Sequence, residues 1–178
     1  MIKLSFKKAS LLTNDQFYDN KDIIKDIGEE WWLRSKTETY GDKRIVIREP
    51  MMLWGAEMPK NIIDITIPSN VDYFQVNANN SGLFYGGASV TKQLGIRPVL
   101  YLSNRTRLKP GTNLLIYDKP YTVLNDGLVF ADFIISTSAF NNKEGQNSYK
   151  NSLVKKQIVS WFKEYFLDDV DVYIVGED

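Results

Sequence analysis

Residues 29–35 read Glu29-Glu30-Trp31-Trp32-Leu33-Arg34-Ser35 ("EEWWLRS"), and the role given to this stretch decides the fold. It holds two of the chain's four tryptophans and places an arginine inside apolar sequence. In an extended strand successive side chains point to opposite faces, so Trp31 and Trp32 go to the two sides of a sheet. Two roles compete: packing anchors, or an aromatic platform for a sugar. Packing is the expectation, with one ring in the core and the other under a neighbouring loop, because large aromatic side chains dominate cores. Arg34, and Arg97 in "GIRPVLYL" (residues 95–102), each interrupt an apolar run and keep their charge. Their guanidinium forks are expected to bond backbone carbonyls or a carboxylate such as Glu29 or Glu30. Trp31, Trp32, Arg34, Arg97 and Trp161 are therefore assigned structural roles.

The chain has 178 residues, enough for one domain that buries roughly 70% of its unfolded surface. Formal net charge is zero, which predicts no overall pull toward nucleic acid. With no cysteine, disulfides, thiolate metal sites and cysteine nucleophiles are excluded. With no histidine, the commonest general base and the Ser-His-Asp triad go too. No stretch approaches the roughly 18 apolar residues of a membrane span, so no membrane insertion is expected. The start, "MIKLSFKKASLLTNDQ", lacks the apolar core of a signal peptide, and synthesis in the cytoplasm is the expectation. Lys (16), Ile (16) and Asn (14) far outnumber Ala (6) and Arg (6), a codon bias that suggests an AT-rich bacterial or phage genome.

Along the chain, "MIKLSFKKASLL" predicts a strand with Ile2, Leu4 and Phe6 on one face. Thr13 followed by Gln16 forms a capping box for a short helix, and Gly28 ends that segment. "KRIVIREP" and "NIIDITIP" predict strands stopped by Pro50 and Pro68. "VDYFQVNANNSGLFYGGASV" predicts a hairpin, and "GIRPVLYLS" a strand with an edge or bulge at Pro98. Residues 108–136 predict three short strands, with turns at Pro110-Gly111, Asp118-Lys119-Pro120 and Asn125-Asp126-Gly127. "NSLVKKQIVSWFKEYF" predicts a helix, since Val154, Ile158, Trp161, Phe162 and Phe166 share one face. "DVDVYIVGED" predicts a last strand with an acidic tip. One α+β domain of short antiparallel strands with two helical regions follows.

Two motifs carry a resemblance. "WWLRS" at 31–35, followed by "GIRPVLYL" at 95–102, resembles a bacterial family of unknown function whose signature runs W-L-R-S-P, a glycine-bearing hairpin, then G-V-R-P-A-L. "ASLLTNDQF" is similar to that family's helix start. The pattern implies a distant version of the C-type-lectin-like fold shared by formylglycine-generating enzymes and phage variable receptor-binding proteins. "YTVLNDGLVFADFIISTSAFNN" and "YKNSLVKKQIVSWFKEYF" resemble the family's opening strands and helix, yet here they follow the W-L-R-S piece. The resemblance thus implies a circular permutation: 1–104 matches the family's C-terminal part, 105–178 its N-terminal part, and 36–70 is an insertion. Departures are Lys36 where the family has proline and Val154-Lys155 where it has Ile-Arg. Permutation needs chain ends that lie close together.

No enzymatic chemistry is expected. Formylglycine generation depends on cysteines. "YGGAS" lacks the lysine and spacing of a phosphate loop. The acidic end (Asp168, Asp169, Asp171, Glu177, Asp178) has no calcium-loop spacing and is expected to be a solvated terminus, so no metal or cofactor is assigned. The expected function is a non-catalytic binding or structural module of a phage or mobile element, carried in a virion, that presents loops to a protein or glycan partner. Other virion proteins are candidate partners, and self-association is compatible with this role. Binding is assigned to Trp54, Asn79, Asn80 and Tyr85, because the hairpin and insertion combine amide groups with aromatics as binding loops do. The rivals are a carbohydrate-active hydrolase using two carboxylates from Glu29, Glu30, Glu49 and Glu57, and an intracellular inhibitor of a host factor.

Overall fold

A computed structural model describes residues 1–36, 43–48, 76–77, 84–89, 91–104, 108–142 and 149–176. The chain opens with β1 (Ile2–Leu4) and β2 (Phe6–Ser10), two halves of one extended segment hinged at Ser5. A capping box starts α1 (Asn14–Asp19): the Thr13 N–H donates to Gln16 Oε1 at 2.9 Å, and the Gln16 N–H donates to Thr13 Oγ1 at 3.1 Å. "WWLRSK" forms β3 (Trp31–Lys36), which pairs antiparallel with β4 (Lys43–Arg48). The expected hairpin has β5 (Val76–Asn77) against β6 (Phe84–Ser89).

"GIRPVLYL" departs from expectation. It forms two strands, β7 (Leu94–Ile96) and β8 (Val99–Leu102), which belong to different sheets. Pro98 has no N–H to contribute to a ladder, so pairing stops and the chain crosses between the sheets at Arg97-Pro98. Next come β9 (Asn113–Ile116), β10 (Lys119–Val123) and β11 (Leu128–Ala131), at the three positions expected. A further strand that the sequence reading missed, β12 (Ser136–Ser138), pairs with β7. Helix α2 (Leu153–Tyr165) is capped by Ser152, whose Oγ accepts from the Lys155 N–H at 3.0 Å. The last strand is β13 (Val170–Ile174).

The seven-stranded sheet runs β1-β13-β9-β10-β11-β8-β2, antiparallel throughout. Its two edges are β1 and β2, neighbours in the chain, so the sheet curls into a near-closed barrel. Closure removes the unpaired edges that an open sheet would expose. The fold is thus α+β with a large antiparallel sheet, and the barrel is what the sequence reading did not anticipate. A second sheet, ordered β12-β7-β3-β4-β6-β5, packs beside it. Residues 1–104 and 105–178 share both sheets: Ile2 pairs with Val172, Phe130 with Val99, and Ser136 with Ile96.

Two cores result. Leu4, Phe6, Leu114, Ile116, Val129 and Val172 are among the residues filling the barrel, and Phe166 plugs it from the end of α2. The second core joins Trp32, Leu11, Ile96 and Phe140 to Val154 and Ile158 of α2, so the helix packs on the sheet that carries "WWLRS". Both indoles are wholly buried, on opposite faces of β3, and neither offers a platform to a sugar. Trp31 packs on Phe17 and Phe130 (centroids 5.8 and 5.5 Å), while Trp32 packs on Phe140 at 5.4 Å and donates from Nε1 to the Ser138 carbonyl at 2.9 Å. Trp161, expected in the core, is only partly buried and packs against the barrel core from outside. Gly95, opposite Trp31 in a parallel pairing, is needed for close approach: a Cβ there would lie 3.0 Å from the Glu30 carbonyl oxygen and 2.6 Å from Ile134 Cδ1.

Truncating Trp31 or Trp32 to Ala should cost about 3–5 kcal/mol in denaturant unfolding. Trp161→Ala should cost clearly less, because its ring already meets solvent. Gly95→Ala should cost about 1–3 kcal/mol by overpacking. Parent-like stability in both Trp31→Ala and Trp32→Ala would remove them from the core.

Candidate ligand site at the mouth of the barrel

Barrel mouths are a common place for ligands, because side chains from several strands converge there on a rigid frame. Here the turn between β9 and β10 has only two residues, Tyr117 and Asp118, since Ile116 pairs directly with Lys119. Both carry positive φ, 51° and 61°, as the hairpin twist requires. A bulky residue rarely adopts that conformation. Tyr117 is held there by packing on Tyr165 and Phe166 (centroids 5.6 and 6.0 Å), and its hydroxyl donates to the Tyr165 carbonyl at 2.8 Å. Even so, its ring is 57% exposed, and Tyr165 beside it is 41% exposed.

Between this hairpin, the end of α2 and residues 133–135 lies a groove of about 310 Å³. Tyr117, Lys119 and Tyr121 line it from the hairpin, and Trp161, Tyr165 and Phe166 from the helix. Phe133, Ile134 and Ile135 complete the wall. Lys119 Nζ stands 5.7 Å from the centre of the Phe133 ring and is the one charged group lining the groove among the described residues. Tyr121 is only 2% exposed, packs edge-on against Phe133 at 5.3 Å, and its hydroxyl meets no acceptor among the described residues. That hydroxyl is not sealed from water, so it can donate to solvent in the groove or to a ligand atom that replaces it. Burial pushes the Tyr121 phenol well above its ordinary range, so it remains a donor at neutral pH.

Trp54, Asn79 and Asn80 fall outside the described residues, as do Glu49 and Glu57. Tyr85 is in β6, where its backbone pairs with Ile47 and Val76. Tyr85 is not among the groove's described lining residues. Glu29 and Glu30 line a shallow hollow with Lys92 and Gln93. Arg34 lies over the Tyr149 ring at 5.5 Å.

Arg97 bonds a backbone carbonyl, as expected, and pairs with the carboxylate of Asp132. Its Nε donates to the Ala131 carbonyl at 2.6 Å, and its Nη2 contacts Asp132 Oδ1 at 3.1 Å. The guanidinium packs against the rings of Trp31 and Phe130, 5.0 and 4.3 Å from their centres, and the two rings touch each other at 5.5 Å. Thr122 donates to the other Asp132 oxygen at 2.6 Å, and Lys25 Nζ stands 3.5 Å from it. This carboxylate is held as a structural partner.

The acidic end is an ordinary surface where it is described, with Asp171 paired to Lys3 at 2.8 Å. Among the described residues no cluster of acidic side chains could hold a metal ion, and no helix is long and apolar enough to cross a membrane. No protein-family model, curated protein or solved structure matches the chain.

Tyr149 is a second phenol pushed up, chiefly by burial, although its bond to Ser10 and the nearby Arg34 oppose the shift. For both tyrosines the folded state holds its proton more tightly than the unfolded state. Their contribution is therefore complete below the unfolded phenol value of about 10 and is lost as pH rises above it. Denaturant midpoints should fall from pH 9 to 11, and Tyr121→Phe should flatten that fall. A slope unchanged in Tyr121→Phe would place the loss elsewhere.

Proposed function

We propose that this chain is a non-catalytic binding module whose ligand site is the mouth of the barrel. The observation that carries the proposal is the groove itself: exposed aromatic faces beside a lysine and a tyrosine hydroxyl with no acceptor among the described residues. That inventory suits holding a ligand. The paired carboxylates of the rival hydrolase reading are not among the groove's described lining residues, so that reading would place its chemistry away from the groove. The hairpin positions Asn79, Asn80 and Tyr85, together with Trp54, belong to the same reading as a second contact surface for a protein or glycan.

On this reading the chain is a distant, permuted relative of the C-type-lectin-like proteins that its W-L-R-S and G-I-R-P motifs resemble. The pairing of β1 with β13 supports the permutation, because it sets the first and last strands side by side. Phage or mobile-element origin and a place in the virion complete the proposal, resting on the codon bias and on that resemblance. The expected partners are a glycan or protein on a target surface and other virion proteins.

A glycan array read together with a sugar-release assay tests the function. Retention of a subset of glycans with no release of reducing ends is expected. Release that disappears in Glu29→Gln or Glu30→Gln would replace the binding module by the hydrolase.

A further inference from the structure

Resting on the reading of the mouth as a ligand site, we infer that the groove takes a carboxylate-bearing sugar ring, a hexuronic acid residue at the end of a glycan. Three features select this chemistry. First, the groove's only charged side chain is Lys119, and no ion pair occupies it among the described residues. A cation at the rim of an aromatic groove favours an anionic group on the ligand. Second, the Tyr121 hydroxyl has no acceptor among the described residues and is open to solvent in the groove, while the Tyr117 hydroxyl already donates to the Tyr165 carbonyl. A ligand that brings an acceptor oxygen to Tyr121 and an anion to Lys119 uses both groups. Third, Trp161, Tyr165 and Phe133 supply flat apolar faces within a space of about 310 Å³, close to the lower limit of ligand pockets. A single pyranose ring fits these demands. It has an apolar C–H face for the aromatics, ring and hydroxyl oxygens for Tyr121, and a carboxylate for Lys119.

A peptide fits less well. Strand addition needs a free sheet edge, and at this mouth β9 is paired on both sides, by β13 and β10. A peptide could offer only a terminal side chain and its carboxylate.

The test titrates three probes into isotope-labelled protein, followed by amide and indole shifts: glucuronic acid, glucose, and a tripeptide ending in a phenylalanine carboxylate. Glucuronic acid should move the Trp161 indole N–H and the Tyr117–Tyr121 amides, and bind about tenfold more tightly than glucose, the value of one charge-assisted hydrogen bond. Lys119→Gln should erase that preference. Tyr121→Phe should weaken both sugars about equally and leave the preference intact. Equal binding of glucose and glucuronic acid would overturn the acidic-sugar assignment while leaving the mouth a ligand site. Shifts from the tripeptide alone would replace sugar by peptide. No groove shifts with any probe would overturn this inference, and an array hit mapped to other residues would overturn the mouth as the site.

Discussion

Arg97 holds the two sheets together. It sits at the point where the chain leaves the "WWLRS" sheet and enters the barrel, and it is wholly buried there. A guanidinium taken out of water must have its charge met, and the Asp132 carboxylate and Ala131 carbonyl meet it from the end of β11. Trp31 from one sheet and Phe130 from the other, in contact with each other, both pack against it. Arginine suits this place because a planar ion can bond through several N–H groups at its edge while packing on aromatic rings, which the ammonium of lysine cannot. The doubled tryptophan then has a physical reason: Trp31 closes the clasp, and Trp32, on the reverse face, anchors α2.

The barrel mouth depends on the same frame. Asp132 is bound to Arg97 and Thr122, and Phe133 and Ile134, next in the chain, form one wall of the groove. The opposite wall is a tight hairpin whose tyrosine is fixed in a left-handed conformation by the helix end. Preorganised aromatic side chains lose little freedom on binding, which favours a ligand as small as one sugar ring.

Local chemistry was legible in the sequence and distant pairing was not. Thr13 and Gln16 announce their capping box because both partners lie within one turn. The stripe from Val154 to Phe166 declares α2 by period alone. Pro98 announced an interruption, but whether the chain bends, bulges or changes sheet depends on strands formed 30 residues later. Ser136–Ser138 has neither apolar alternation nor β-branched bulk throughout, so it became a strand only because β7 offered an edge. Backbone carbonyls or a carboxylate such as Glu29 or Glu30 were the expected partners of the arginines; Arg97 does bond the Ala131 carbonyl, and that Asp132 is an acid it pairs with is set by sheet register. The groove was hidden for the same reason. Tyr117 and Tyr121 lie some 40 positions from Trp161 and Tyr165, and Trp161 on an apolar helix face reads as core. One signal was available: Tyr-Asp in a two-residue hairpin turn, where Asn-Gly is the easy choice.

A double-mutant cycle on Arg97 and Asp132, measured by denaturant unfolding, tests the central claim most directly. Arg97→Met alone should cost about 3–5 kcal/mol, because it strands a buried carboxylate. Asp132→Asn alone should also be costly, and the double variant should be more stable than the sum of the two losses implies, with a coupling of about 1–3 kcal/mol. Losses that add to within about 0.5 kcal/mol would contradict the account, since the two sheets would then be joined by something other than this pair.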